Sequence, residues 1–191
     1  MKRSRRDFLK TMTTCAVATS ILPAGAPRAE DQPSSDFERM SLEHRAQEAL
    51  TLMGEYGSCC TGVLGAWAPE LGLEIEQVAG LGRGMAGGIG GLGQVCGAVS
   101  GAILAIGLKT SNAGNLHDMP AAFETMAAVR EFVARFEERH SSIQCRDLMG
   151  HDISTQEKSA AAMQAGAFGD CPQFIESAVA ILDEMIRTGR I

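Results

Sequence analysis

At 191 residues, 45% of them hydrophobic and 21% charged, the chain has the length and balance of one globular domain with a sizeable core. Beyond residue 29 it keeps 11 Lys and Arg against 22 Asp and Glu, a charge that repels phosphate backbones. With one Trp, one Tyr and no basic stripe interleaved with aromatics, the composition argues against nucleic-acid binding.

Residues 1–29 read as an address. Lys2, Arg3, Arg5, Arg6 and Lys10 precede a short, mildly apolar stretch over residues 11–22 that Pro23 breaks; charge, apolar run and breaker in that order are signal-peptide grammar. Ser4-Arg5-Arg6-Asp7-Phe8-Leu9-Lys10 resembles the twin-arginine signal motif. That resemblance implies export in the folded state, to the periplasm or another extracytoplasmic space, and such substrates often carry a metal cofactor inserted before export. Cleavage is expected between Ala24 and Ala29, and Cys15 leaves with the signal rather than carrying a lipid.

In the body, residues 30–191, Phe37, Met40, Leu42, Ala46, Ala49, Leu50 and Met53 recur at helical spacing up to Gly54. Gly57-Ser58 then supplies a break and a cap, residues 59–68 read as a short helix ended by Pro69, and residues 71–81 add a turn or two. Residues 84–108 carry no charge, yet nine glycines interrupt them; only residues 94–108 form a continuous apolar helix, too short for a membrane span. On it Gly97 and Gly101, with Ala98 and Ala102, are small residues four apart that let a neighbouring helix approach closely. A loop over residues 109–118 leads to a long helix, residues 119–139, with Phe123, Met126, Ala127, Val129, Phe132, Val133 and Phe136 as its apolar positions. Ser141-Ser142 opens a short helix through Met149 that Gly150 closes; residues 155–165 form another, and Asp170 starts the last, residues 171–188. No stretch alternates with period two over strand length, so the expected fold is an all-α, compact helical bundle, a single domain after the signal.

The body holds Cys59, Cys60, Cys96, Cys145 and Cys171. No C-x-x-C pair occurs, so zinc-ribbon, thioredoxin-type and c-type haem readings fail. Cys59, Cys96, Cys145 and Cys171 each fall within the first turn of a predicted helix, where unpaired amide N–H groups and the helix dipole favour thiolate, the form that attacks disulfides and binds metals. Four thiols on four helix starts can converge at one end of a bundle. Singly, a buried cysteine is most often a small hydrophobe; four at equivalent positions point to function.

Cys96-Gly97-Ala98-Val99-Ser100-Gly101 resembles the Cys-Gly-Ala-x-x-Gly motif of the C_GCAxxG_C_C family, which four cysteines define. Cys59 after Ser58, Cys145 in Gln-Cys-Arg-Asp-Leu-Met-Gly, and Cys171 at the start of the closing helix are similar to the family's other three. The resemblance implies redox-active cysteines and an iron–sulfur or other thiolate-bound metal centre on Cys59, Cys96, Cys145 and Cys171, with Gly97 beside it and no haem. Cys60 is a departure from the pattern and leaves open which of the two adjacent thiols works.

Gly88-Ile89-Gly90-Gly91-Leu92-Gly93 has the spacing of a dinucleotide-binding loop but lacks the preceding strand and the acidic residue about twenty positions on; it reads as a hinge beside Cys96. His44, His117, His140 and His151 read as surface residues, the last two flanking Cys145, with Arg146 and Asp147 solvated or helix-capping and the methionines as core.

Three functions remain open. The first is a metal centre for electron transfer or redox sensing with an unidentified redox partner. The second is a thiol–disulfide protein using the same cysteines, with Cys59-Cys60 attacking or resolving. The third is a disulfide-held helical module that binds a partner, and a homo-oligomer is compatible with any of them.

Overall fold

The computed structural model describes residues 41–111 and 117–191. The signal, its cleavage bond, Cys15, the expected first turn at residues 37–40 and residues 112–116 of the expected loop lie outside the described residues. What is described is all-α, with one isolated antiparallel bridge between Val95 and Gln144. The order is α1 (Leu42–Tyr56), α2 (Cys59–Gly65), α3 (Ile75–Arg83), α4 (Gly97–Thr110), α5 (Met119–His140), α6 (Cys145–Met149), α7 (Gln156–Gln164), a 3-10 turn (Ala167–Asp170) and α8 (Cys171–Arg187). Among the described residues no helix is long and apolar enough to cross a membrane.

Local chemistry explains the boundaries, including those that differ from expectation. Helix α1 starts at Ser41, whose hydroxyl accepts from the His44 N–H, and runs through Gly54, because one exposed glycine is tolerated and the stop is Gly57 at φ 65°. Helix α2 loses regular geometry after Gly65, where the Trp67 and Ala68 N–H groups donate three residues back, to the Leu64 and Gly65 carbonyls, and Pro69 has no N–H to continue the ladder. Helix α3 begins later than expected, at Ile75, where the Gln77 side chain accepts from the Glu74 N–H at 3.1 Å. Ser141 at φ 63° closes α5 rather than opening the next helix, so α6 starts at Cys145.

Helix α4 is the centre, packed against α2, α5 and α8, while α1 lies across α2 and α8. Its small residues decide how near α2 comes: a Cβ on Gly101 would stand 2.7 Å from the Cys60 carbonyl oxygen, and one on Gly97 3.1 Å from the Cys60 nitrogen. Helix α8 turns Phe174, Ile175, Ala178, Val179, Ile181, Leu182 and Met185 inward, and α5 adds Phe132 and Phe136. A smaller cluster of Cys145, Met149, Ile153, Ala162 and Ala167 sits under α6 and α7. At the far edge Glu131 joins Arg190 and Arg135, and Arg135 reaches Glu184, fastening the chain's end to α5.

Candidate functional site

Each of four cysteines is placed by the start of its helix. Ser58 caps α2, accepting from the Thr61 N–H and donating to the Gly82 carbonyl at 2.9 Å, which fixes Cys59 as the first residue of the helix. Cys96 is the N-cap of α4 and Cys145 the first residue of α6. Their strands of backbone are tied directly: the Cys96 N–H donates to the Ile143 carbonyl and the Cys145 N–H to the Gln94 carbonyl, both at 2.7 Å. Cys171 opens α8 after the 3-10 turn, with Pro172 following where no amide donor is needed.

These four helix starts meet. Cys59, Cys96, Cys145 and Cys171 line one cavity of about 210 Å³, together with Met53, Leu148, Met149, Phe168 and Phe174. No charged side chain lines it. Gly97 borders it, as the close packing of α4 on α2 requires, whereas Cys60 is fully buried in the core and absent from the wall. Of the two adjacent thiols, Cys59 is the one that faces the cavity.

The glycine loop packs directly against Cys145. Residues 87–91 all have φ between 60° and 79°, five successive left-handed residues, and the loop is fastened by backbone hydrogen bonds such as Gly93 N–H to the Gly87 carbonyl and Gln94 N–H to the Gly88 carbonyl, both 3.0 Å. Only glycine adopts such a run cheaply. At Gly88 the run also needs the missing side chain: a Cβ there would lie 2.8 Å from the Cys145 Cβ and 2.5 Å from the Gln94 oxygen. Arg146 clamps the loop from outside, donating from Nε to the Gly93 carbonyl at 3.1 Å and from a terminal nitrogen to the Leu92 carbonyl at 2.7 Å. The expectation of a merely solvated or capping Arg146 is therefore corrected. His140 also departs from the surface reading: it stacks between Phe136 and Phe174, with Nε2 buried and unpartnered, and burial lowers its basicity.

Helix starts alone do not set the thiol chemistry. The neighbouring Cys171 thiol, and then burial, raise Cys59, while Cys59 in turn lowers Cys171. Burial pushes Cys145 up to about 12, with Cys96 and Cys171 adding repulsion, and raises Cys96 even though the Ala98 and Val99 amides oppose it. Cys60 is likewise pushed up to about 12 by burial and then by Cys96. The thiolate expected at every helix start is favoured only at Cys171, the other three being raised because an apolar cavity penalises charge more than one helix end favours it. A cation entering among the four would reverse that penalty.

The donors fit a thiolate-bound group in kind: every side-chain heteroatom of the lining cysteines and methionines is sulphur, the soft ligand of iron–sulfur clusters, zinc and Cu(I). Among the described residues no three His, Cys, Asp or Glu side chains are grouped closely enough to hold one metal ion; four Zn–S bonds of about 2.3 Å need sulphurs within roughly 4 Å of one another.

The family model described as "Putative redox-active protein (C_GCAxxG_C_C)" matches residues 57–185. The chain belongs to that family. The match takes in all four cavity cysteines, from α2 to all but the last two residues of α8, and with it the glycine loop and Arg146. No curated protein matches the chain. No solved structure matches it either. Redox activity is what the family's description names, and among the described residues none of the cysteines forms a disulfide. Sequence reasoning passed over Met53, Met149, Phe168 and Phe174, which reach the cavity from positions that read as ordinary core; nothing in their spacing separates a cavity wall from a packed interior.

Proposed function

We propose that this C_GCAxxG_C_C protein is an exported redox protein in which Cys59, Cys96, Cys145 and Cys171 hold an iron–sulfur or other thiolate-bound metal centre for electron transfer or redox sensing. The observation that carries the reading is the meeting of four cysteines, from four helix starts, around one apolar cavity with sulphur donors alone. When bound, such a group supplies one-electron chemistry. The chain's part is to orient the four sulphurs, to keep water from most of their surface and, through Arg146 and the left-handed loop, to hold Cys145 in register with Cys96. The twin-arginine-like residues Arg5 and Arg6 support export of the loaded, folded protein.

The test is an ultraviolet–visible spectrum with iron and sulfide analysis on protein purified without oxygen. Bound metal with broad charge-transfer absorbance, lost in each of Cys59→Ser, Cys96→Ser, Cys145→Ser and Cys171→Ser but kept in Cys60→Ser, is the expected result. Colourless, metal-free protein sinks the metal reading. It would leave the thiol–disulfide reading, which one observation favours: Cys59 and Cys171 line the same cavity and are the more exposed of the four.

A further inference from the structure

Helix α5 buries Ala128, Phe132 and Phe136 on one side and leaves large apolar side chains uncovered on the other. Met119 and Phe123 are each 59% exposed and Met126 49%. At four- and three-residue steps they share a face with the exposed Ala127, Arg130 and Ala134. On its other side α5 meets α4 through the Thr110–Thr125 hydroxyl pair at 2.8 Å, so this stripe is left uncovered by α4. An apolar stripe of this kind on an otherwise acidic surface marks a contact.

The order of residues along the stripe says with what. Its first half is bulky and its second half small or cationic, so the face is complementary to itself when run backwards. We propose that α5 packs antiparallel against α5 of a second copy, about a two-fold axis passing between Met126 and Ala127. In that register Met126 lies over the small Ala127 of its mate and Met119 over Ala134. Arg130 lies over the Phe123 ring, a cation–π arrangement, and beside Glu124. Every contact occurs twice, as an isologous interface demands. Bulky residues facing small ones and Arg130 near Glu124 give the same face of a second copy a match in size and charge. One pair of helix faces covers less than the ~800 Å² per partner of a standard interface, so the dimer is a weak, concentration-dependent one. It is independent of the cysteine cavity and of what fills it.

Sedimentation equilibrium of the purified protein, from low micromolar to millimolar concentration, tests this. A reversible monomer–dimer equilibrium is expected. Met126→Glu places like charges at the axis and should weaken it by about tenfold or more. Arg130→Glu should also weaken it, and adding Glu124→Arg to that variant should restore it by exchanging the signs. All three side chains are exposed, so circular dichroism and the thermal midpoint should stay unchanged. A monomer at every concentration overturns the proposal, as does a dimer indifferent to Met126→Glu. So does a chain that dimerises only after deletion of residues 1–40, which would show that its own N-terminal segment covers the face.

Discussion

Cys171 is the cavity thiol whose pKa the fold lowers, because the Cys59 thiol beside it favours its charged form while it opens α8 only partly buried. In reduced, metal-free protein, iodoacetamide near pH 8 should label Cys171 first, while Cys60 and Cys145, both pushed up to about 12, resist until denaturant is added. The sign follows from which form reacts: only thiolate is alkylated, so a lowered pKa brings labelling to lower pH and a raised one delays it. Replacing Cys59 with Ala should move the Cys171 midpoint up, a shift that peptide mapping across a pH series reads directly. Ile89 gives a second test at this scale. It is β-branched, 44% exposed and held at φ 60°, where an L-residue costs about 1–2 kcal/mol. Ile89→Gly should therefore leave stability unchanged or raise it by up to about 1 kcal/mol in urea unfolding.

Among elements, the contact between α2 and α4 is the one that brings Cys59 to Cys96, and its closeness depends on an absent side chain. Gly101→Ala would set a Cβ 2.7 Å from the Cys60 carbonyl and should destabilise by about 1–3 kcal/mol while disturbing both cysteines. Gly107, on the same helix, faces no atom within 4 Å; Gly107→Ala should instead stabilise by about 0.5–1 kcal/mol, and paired thermal melts of the two variants separate packing from helix propensity. Helix α1 is anchored by Arg45, only 3% exposed, which stacks 3.7 Å from the Trp67 ring centre and pairs with Glu70 at 2.6 Å. Glu70→Ala removes a carboxylate from that buried guanidinium and should cost about 1–3 kcal/mol, whereas Glu70→Gln, which still accepts a hydrogen bond, should cost less.

At the scale of the whole molecule the candidate site links four helix starts, so whatever binds there stabilises the fold it completes. Ligand at a hundredfold above its dissociation constant adds about 2.7 kcal/mol, and for a domain of this size that corresponds to a rise of roughly 5–10 °C in Tm. Chelation of bound metal should reverse the rise, and Cys60→Ser should leave it intact. Much of this organisation was legible from residues near one another in the chain. The helices, the Ser58, Thr155 and Gly150 boundaries, the all-α class and the place of four cysteines at helix starts all follow from periodicity and capping, which act over a few residues. The Gly97 and Gly101 stripe announced a close helix neighbour, though not that the neighbour is α2. What the tertiary structure decided is which of Cys59 and Cys60 faces the cavity, that Arg146 clamps a left-handed loop fifty residues earlier in the chain, and that three of the four cavity thiols are harder, not easier, to ionise. Those are matters of burial and of contacts between distant segments, and a helix end's local pull on a thiol is outweighed once the surrounding fold has removed the water.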